Sequence, residues 1–133
     1  MVLDTSAIIA IIFGEPEREA FLDLLTTQAP LSMSAVALHE SSVVTVGKKR
    51  DLTAVRFVDG LIRQFAMEIV PVDMDAAIAA REAYFRFGRG WHEARLNLAD
   101  CFSYGLAMTR EDTLLFKGDD FLKTDIVPAV ARS

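Results

Sequence analysis

A single cysteine, Cys101, stands among 133 residues, so no internal disulfide can form. Long apolar runs are missing as well: the longest, residues 7–13, has seven residues and stops at Gly14. That is far short of the roughly 20 that a membrane-spanning helix requires. The chain opens with no basic segment, and Asp4 stands where a secretory signal carries Lys or Arg. Together with the unpaired thiol, this points to the cytoplasm. Positive charge is in short supply: 14 Lys and Arg face 19 Asp and Glu, a net charge of −5. Such a balance argues against a passive nucleic-acid binder that works by neutralising phosphates, and leaves room for a nucleic-acid enzyme whose positive charge arrives as a bound metal. Histidine is scarce too, with two copies and no Cys–His cluster, which argues against a zinc site.

What the chain does have is the makings of a core. Apolar residues are 52% and charged residues 25%, the balance of a chain that folds, and no repeat, low-complexity tract or linker divides it. One domain over residues 1–133 is expected. Residues 1–3 end at Asp4 and read as a strand entering a helix that runs to Phe13, with Thr5 or Ser6 as its cap. A second helix begins within residues 14–17, with Pro early and acids in the first turn, and ends near Thr27. Residues 31–33 form the next strand, and Ser34 caps a helix that runs into Lys48, Lys49 and Arg50. Asp51 or Thr53 opens a further helix; residues 68–72 read as a strand broken by Pro71, and another helix follows from Asp73 to about Phe87. Residues 88–93 make a polar, glycine-bearing, aromatic surface loop. Asn97 opens a helix to about Arg110, and residues 113–116 give the last strand. Strands alternating with helices of this length imply βαβ units, hence an α/β fold around a parallel sheet covered on both faces.

In an open parallel sheet, ligands gather beyond the carboxyl ends of the strands. Asp4 and Asp119 fall there, although Asp4 also suits a helix cap and Asp119 with Asp120 a polar turn. Glu40 is more pointed. Its neighbours one turn away are Val36, Ala37, Val43 and Val44, which places a carboxylate within an apolar stripe, where it needs a cation, a proton or a metal. A salt bridge, or a place at the edge of the stripe, is the other reading. Asp100, in the first turn after Asn97, suits the helix dipole. Taken together, four acids near strand ends or on an inward helix face describe one crevice in which like charges repel unless a divalent cation neutralises them. Oxygen donors alone suit Mg²⁺ or Mn²⁺.

Asp4-Thr5-Ser6-Ala7, Ser34-Ala35 leading to Glu40, Asn97-Leu98-Ala99-Asp100-Cys101 and Phe116-Lys117-Gly118-Asp119-Asp120-Phe121 closely resemble, in that order, the PIN-domain family, and within it the VapC-type toxins of bacterial toxin–antitoxin pairs. The resemblance implies a three-layer α/β/α fold with a central parallel sheet. It also implies a Mg²⁺- or Mn²⁺-dependent endoribonuclease, usually a homodimer, inhibited by a small VapB-type antitoxin. The catalytic and metal-binding quartet then falls at Asp4, Glu40, Asp100 and Asp119, with Thr5 or Ser6 beside the first Asp and Asn97 orienting Asp100. One departure stands out: many relatives carry Thr or Ser, one residue, then Asp, with a further Asp before Phe, whereas Lys117-Gly118 here precedes two adjacent acids. Asp119 is taken as the inner acid, because Asp120, directly before Phe121, resembles the outer one.

Arg89, Trp91 and Lys117 are the expected RNA contacts, with Lys48, Lys49, Arg50, Arg86 and Arg95 as further cations. His39 and His92 show no partner and are expected to take no acid–base role, and Cys101 reads as a small core residue. The competing class is a Mg²⁺-binding, phospho-accepting receiver-like signalling domain. That class wants an acid pair after the first strand, where this chain offers Asp4 alone.

Overall fold

Side chains alternate across a strand, so even a two-residue strand sends one residue to each face of its sheet. The computed structural model describes residues 1–131. The elements are β1 (Val2–Leu3), α1 (Thr5–Ile12), α2 (Arg18–Thr27), β2 (Ser32–Ser34), α3 (Ala35–Lys49), α4 (Val55–Gln64), β3 (Glu68–Val70), α5 (Met74–Phe87), α6 (Leu98–Thr109) and β4 (Leu114–Leu115). Short 3₁₀ turns cover Leu52–Ala54 and Asp120–Lys123. All four strands run parallel in the order β3-β2-β1-β4, with Val2 opposite Ser32 and Leu114, and Leu3 opposite Leu115. The expected single domain over 1–133 includes residues 132 and 133, which lie outside the described residues.

The register produces two apolar layers. Leu3, Met33 and Leu115 pack with Ile8 and Ile11 of α1, Phe21 of α2 and Leu61 of α4. Val2 and Leu114 pack on the opposite face with Ala80 and Phe87 of α5 and Tyr104 and Ala107 of α6. Each fully buried Leu or Ile contributes about 1.5–3 kcal/mol, so these layers carry the fold. Helices α5 and α6 approach closely: a Cβ on Gly105 would stand 3.2 Å from the backbone of Ala79 and Ala80. The architecture is the three-layer α/β/α arrangement with a central parallel sheet.

Several boundaries differ from expectation. The cap of α1 is Asp4, a role the sequence also allowed it, and not Thr5 or Ser6, because a carboxylate at the strand's end reaches the Ser6 N–H, which it accepts at 3.0 Å. The second helix waits until Arg18, after the turn around Pro16. Asp51 caps the Leu52–Ala54 turn, and α4 begins only after it. Strand β3 stops at Val70, since Pro71 has no N–H to give a ladder. No helix among the described residues is long and apolar enough to cross a membrane.

Connectivity places the site. The chain steps from β1 outward to β2 and β3, then returns to set β4 on the other side of β1. At such a reversal the following segments diverge and leave a crevice at the carboxyl ends of β1 and β4.

Candidate active site

Asp4 is the last residue before α1 and lies at the floor of that crevice, 3% exposed. Its Oδ2 accepts the Ser6 N–H at 3.0 Å and the Ser6 hydroxyl at 2.6 Å. Its Oδ1 is shielded from water and accepts no hydrogen bond. A buried carboxylate oxygen without a donor is costly, and a cation removes the cost.

Asp100 is fixed by a reciprocal cap at the start of α6. Asn97 Oδ1 accepts the Asp100 N–H at 2.9 Å, and Asp100 Oδ2 accepts the Asn97 N–H at 3.0 Å. The carboxyl is pushed up from 3.8 to about 7, first by burial and then by the charge on Asp4. Glu40 and Asp120 push the same way, against the Asn97 amide, which favours the charged form. Glu40 is half-buried on the second turn of α3. The crevice is about 340 Å³, and its lining includes Asp4, Glu15, Glu40, Asn97, Asp100 and Lys117.

The surroundings of Glu40 correct the apolar-stripe expectation. The buried line of α3 is Ala37, Ser41 and Thr45, while Val43 is 53% exposed. Glu40 precedes Ser41 and therefore sits at the edge of that line, open to the crevice. Ser6 links two parts of the site, because its Oγ also accepts the Lys117 N–H at 3.0 Å. Thr5 takes no part in that link; its hydroxyl reaches toward the Ala37 carbonyl at 3.5 Å. Gly118 follows at φ 100°, a conformation side chains disfavour, which lets the chain reverse directly after β4. Asp119 is exposed at the head of the Asp120–Lys123 turn, and the neighbouring Asp120 is near enough for its charge to raise Asp100.

Arg89 and Trp91 do not line the crevice. Trp91 Nε1 donates to the Tyr84 carbonyl at 3.0 Å, the Tyr84 hydroxyl donates to the Arg89 carbonyl at 3.2 Å, and the two rings meet edge to face at 5.2 Å. The loop is thereby pinned to α5. His92 does have a partner, contrary to expectation: its Nδ1 accepts the Ala94 N–H at 3.0 Å. Cys101 is buried with its thiol pushed up to about 11, chiefly by burial, so it is a core residue without nucleophilic character. Glu15 was not singled out from sequence; an acid beside Pro16 reads there as an ordinary helix start.

Among the described residues, no three His, Cys, Asp or Glu side chains converge into a ready-made metal cage. Repelling carboxylates stand apart where no cation offsets their charge. The orphaned Asp4 Oδ1, the proton-retaining Asp100 and the all-oxygen donor set fit a hard divalent cation.

A family model, the PIN domain, matches residues 1–127. The chain belongs to the PIN-domain family. This PIN domain is 41% identical over 131 residues to ribonuclease VapC42 of Mycobacterium tuberculosis, with 97% of this chain and 98% of that one covered. It is 40% identical over 126 residues to ribonuclease VapC30 of the same organism, covering 95% of each. Among solved structures it is similar to the sarcin-ricin loop cleaving toxin VapC20 of M. tuberculosis, with a TM-score of 0.75 and 17% identity over 95% of each chain. It is also similar to VapBC2 of Rickettsia felis, bound to a DNA fragment from its promoter, with a TM-score of 0.73 and 15% identity over 96% of this chain and 94% of that one. The two solved structures share the fold. Nothing in these comparisons supports the receiver-like alternative.

Proposed function

We propose that this PIN domain is a divalent-metal-dependent endoribonuclease, the toxin of a toxin–antitoxin pair, which hydrolyses RNA phosphodiester bonds in the crevice beyond β1 and β4. One observation carries the reading. The buried, unpartnered Asp4 Oδ1 shares a crevice with Asp100, whose carboxyl is held near 7 by burial and by the charges around it. Such uncompensated acids mark functional sites more often than structural ones. The names of the mycobacterial relatives agree with an RNA substrate.

Asp4, Glu40, Asp100 and Asp119 form the catalytic, metal-holding quartet, and Asp120 adds charge beside Asp100. Mg²⁺, with Mn²⁺ as substitute, supplies when bound a water of lowered pKa and offsets charge building on the phosphate. Ser6 engages one Asp4 oxygen and leaves the other without a donor. The Asn97 amide fixes one Asp100 oxygen in the same way. Lys117 contacts a backbone phosphate, while Arg89 and Trp91 meet the RNA farther along. The protein acts in the cytoplasm as a single domain. A VapB-type antitoxin neutralises it, and two copies associate through α5, where Met74, Ile78 and Phe85 are exposed on one face.

The test is cleavage of total cellular RNA by antitoxin-free protein with Mg²⁺ or Mn²⁺, with chelator, and by Asp4→Asn and Glu40→Gln. Metal-dependent fragments lost in both variants support the reading. No cutting of any RNA, with an aspartate labelled by acetyl phosphate, overturns it.

A further inference from the structure

An acidic crevice repels a polyanion, and among the described residues this one has a single cation in its lining. That cation, Lys117, is already engaged. Its Nζ donates to Glu15 Oε2 at 3.1 Å and lies 3.2 Å from Glu17 Oε2. The Glu17 oxygen is shielded from water yet has no aligned hydrogen bond, so that half of the contact is an ion pair alone. The acids come from the turn before α2 and the lysine from the segment after β4. Glu15 and Lys117 both line the crevice, so their contact forms part of its wall.

The backbone and side chain of Lys117 are held very differently. Its N–H is tied through Ser6 to Asp4, which keeps the residue next to the acids whatever its side chain does. The side chain is a flexible four-carbon stem, and the Lys117, Glu15 and Glu17 side chains are each one-quarter to one-third exposed, the paired Glu17 oxygen alone being covered. Ion pairs with that much access to water are weak and exchange readily. Two carboxylates on one ammonium leave a net negative charge where a phosphate has to arrive. An incoming phosphodiester therefore competes with Glu15 and Glu17 for one cation.

Building on the ribonuclease reading, we propose that Glu15 and Glu17 occupy Lys117 as an internal substitute for an RNA phosphate, and that RNA is gripped when Lys117 leaves them for the backbone phosphate. The pair thus sets how tightly the protein takes RNA. It also restricts engagement to RNA that presents a phosphate within reach of the Lys117 stem.

Binding of a fluorescein-labelled, mixed-sequence single-stranded RNA 20-mer, followed by anisotropy in Mg²⁺, tests this. All proteins carry Asp100→Asn, which prevents cutting and leaves the Ser6–Asp4–Lys117 string intact. Glu15→Gln with Glu17→Gln should tighten binding about tenfold, while in a Lys117→Met background the same pair should change it by no more than about twofold. An equal gain in both backgrounds would mean general charge relief and overturns the proposal. So does unchanged binding together with a lowered melting temperature, the signature of a purely structural clamp. Binding by none of the four proteins removes the ribonuclease reading itself, and the inference with it.

Discussion

Asp100 and Tyr104 lie one turn apart on α6, and each is the centre of a polar cluster. The Tyr104 hydroxyl donates to Asp125 Oδ1, and Arg86 reaches both, donating to the Tyr104 oxygen at 3.2 Å and to Asp125 at 3.0 Å. Asp125 is held below the ordinary carboxylate range, first by the Tyr104 bond and then by Arg86. Asp100 has one backbone donor, three acidic neighbours and much less water, and its carboxyl rises to about 7. The first cluster settles its charges among its own members and joins α5, α6 and the C-terminal segment. The second leaves its charges unsettled, a cost with no return inside the fold, and that cost implies a ligand from outside.

The sharpest way to break this contrast is to neutralise the crevice. Asp4→Asn should lower metal-dependent RNA cleavage by at least about 10²-fold, as removal of one preorganised charged group at a reacting centre does, while the circular dichroism spectrum stays that of the parent. Next in size is an effect on stability with an unusual sign. Between about pH 4 and 7, folded, metal-free protein keeps a proton on Asp100 that the unfolded chain has released, so stability falls as pH rises through that window and then levels off. Asp100→Asn should flatten this slope and raise the melting temperature at pH 8 by about 5 °C. Calorimetry across pH 4–8 in chelator checks both; a variant that melts lower at pH 8 contradicts the electrostatic account.

The compensated cluster should respond in the opposite direction and more mildly. Tyr104→Phe deletes the bond to Asp125 inside a packed layer and should cost about 1 kcal/mol in urea unfolding without slowing RNA cleavage. Smallest of all is the bidentate Arg110–Glu68 pair, largely exposed at 2.9 and 3.0 Å; Glu68→Gln should change stability by less than about 1 kcal/mol.

The order of strands and helices was legible because the apolar runs are short and the caps are explicit: Ser34, Asp73 and Asn97 each cap the helix that follows them. Asp4, Glu40 and Asp100 were legible as acids near strand ends or on an inward helix face, and the crevice does bring the three together. Less visible was anything that depends on two distant segments meeting. Glu15 looked like a helix start because the partner that gives it meaning, Lys117, is brought to it only by the pairing of β4 with β1. The immediate setting of Glu40 was misread for a different reason. Valines counted as buried, but α3 turns Ala37, Ser41 and Thr45 inward, and periodicity alone does not separate a small polar line from an apolar one. The loop around Trp91 reads from its glycines and polar residues as a surface loop, and its anchoring by Tyr84 of the preceding helix was not visible.

The sheet order carries a consequence for how activity emerges during synthesis. Strand β1 is the first to be made and is flanked by β2 on one side and by β4, the last, on the other. Until Leu114 and Leu115 are available, β1 has an open edge, Ser6 lacks the Lys117 amide, and Asp120 has not joined Asp100. A ribosome-bound chain halted before β4 therefore has no assembled crevice and should cut no RNA. The same dependence ties the crevice to both apolar layers, since β4 gives Leu115 to one and Leu114 to the other, so any opening of β4 disarms it.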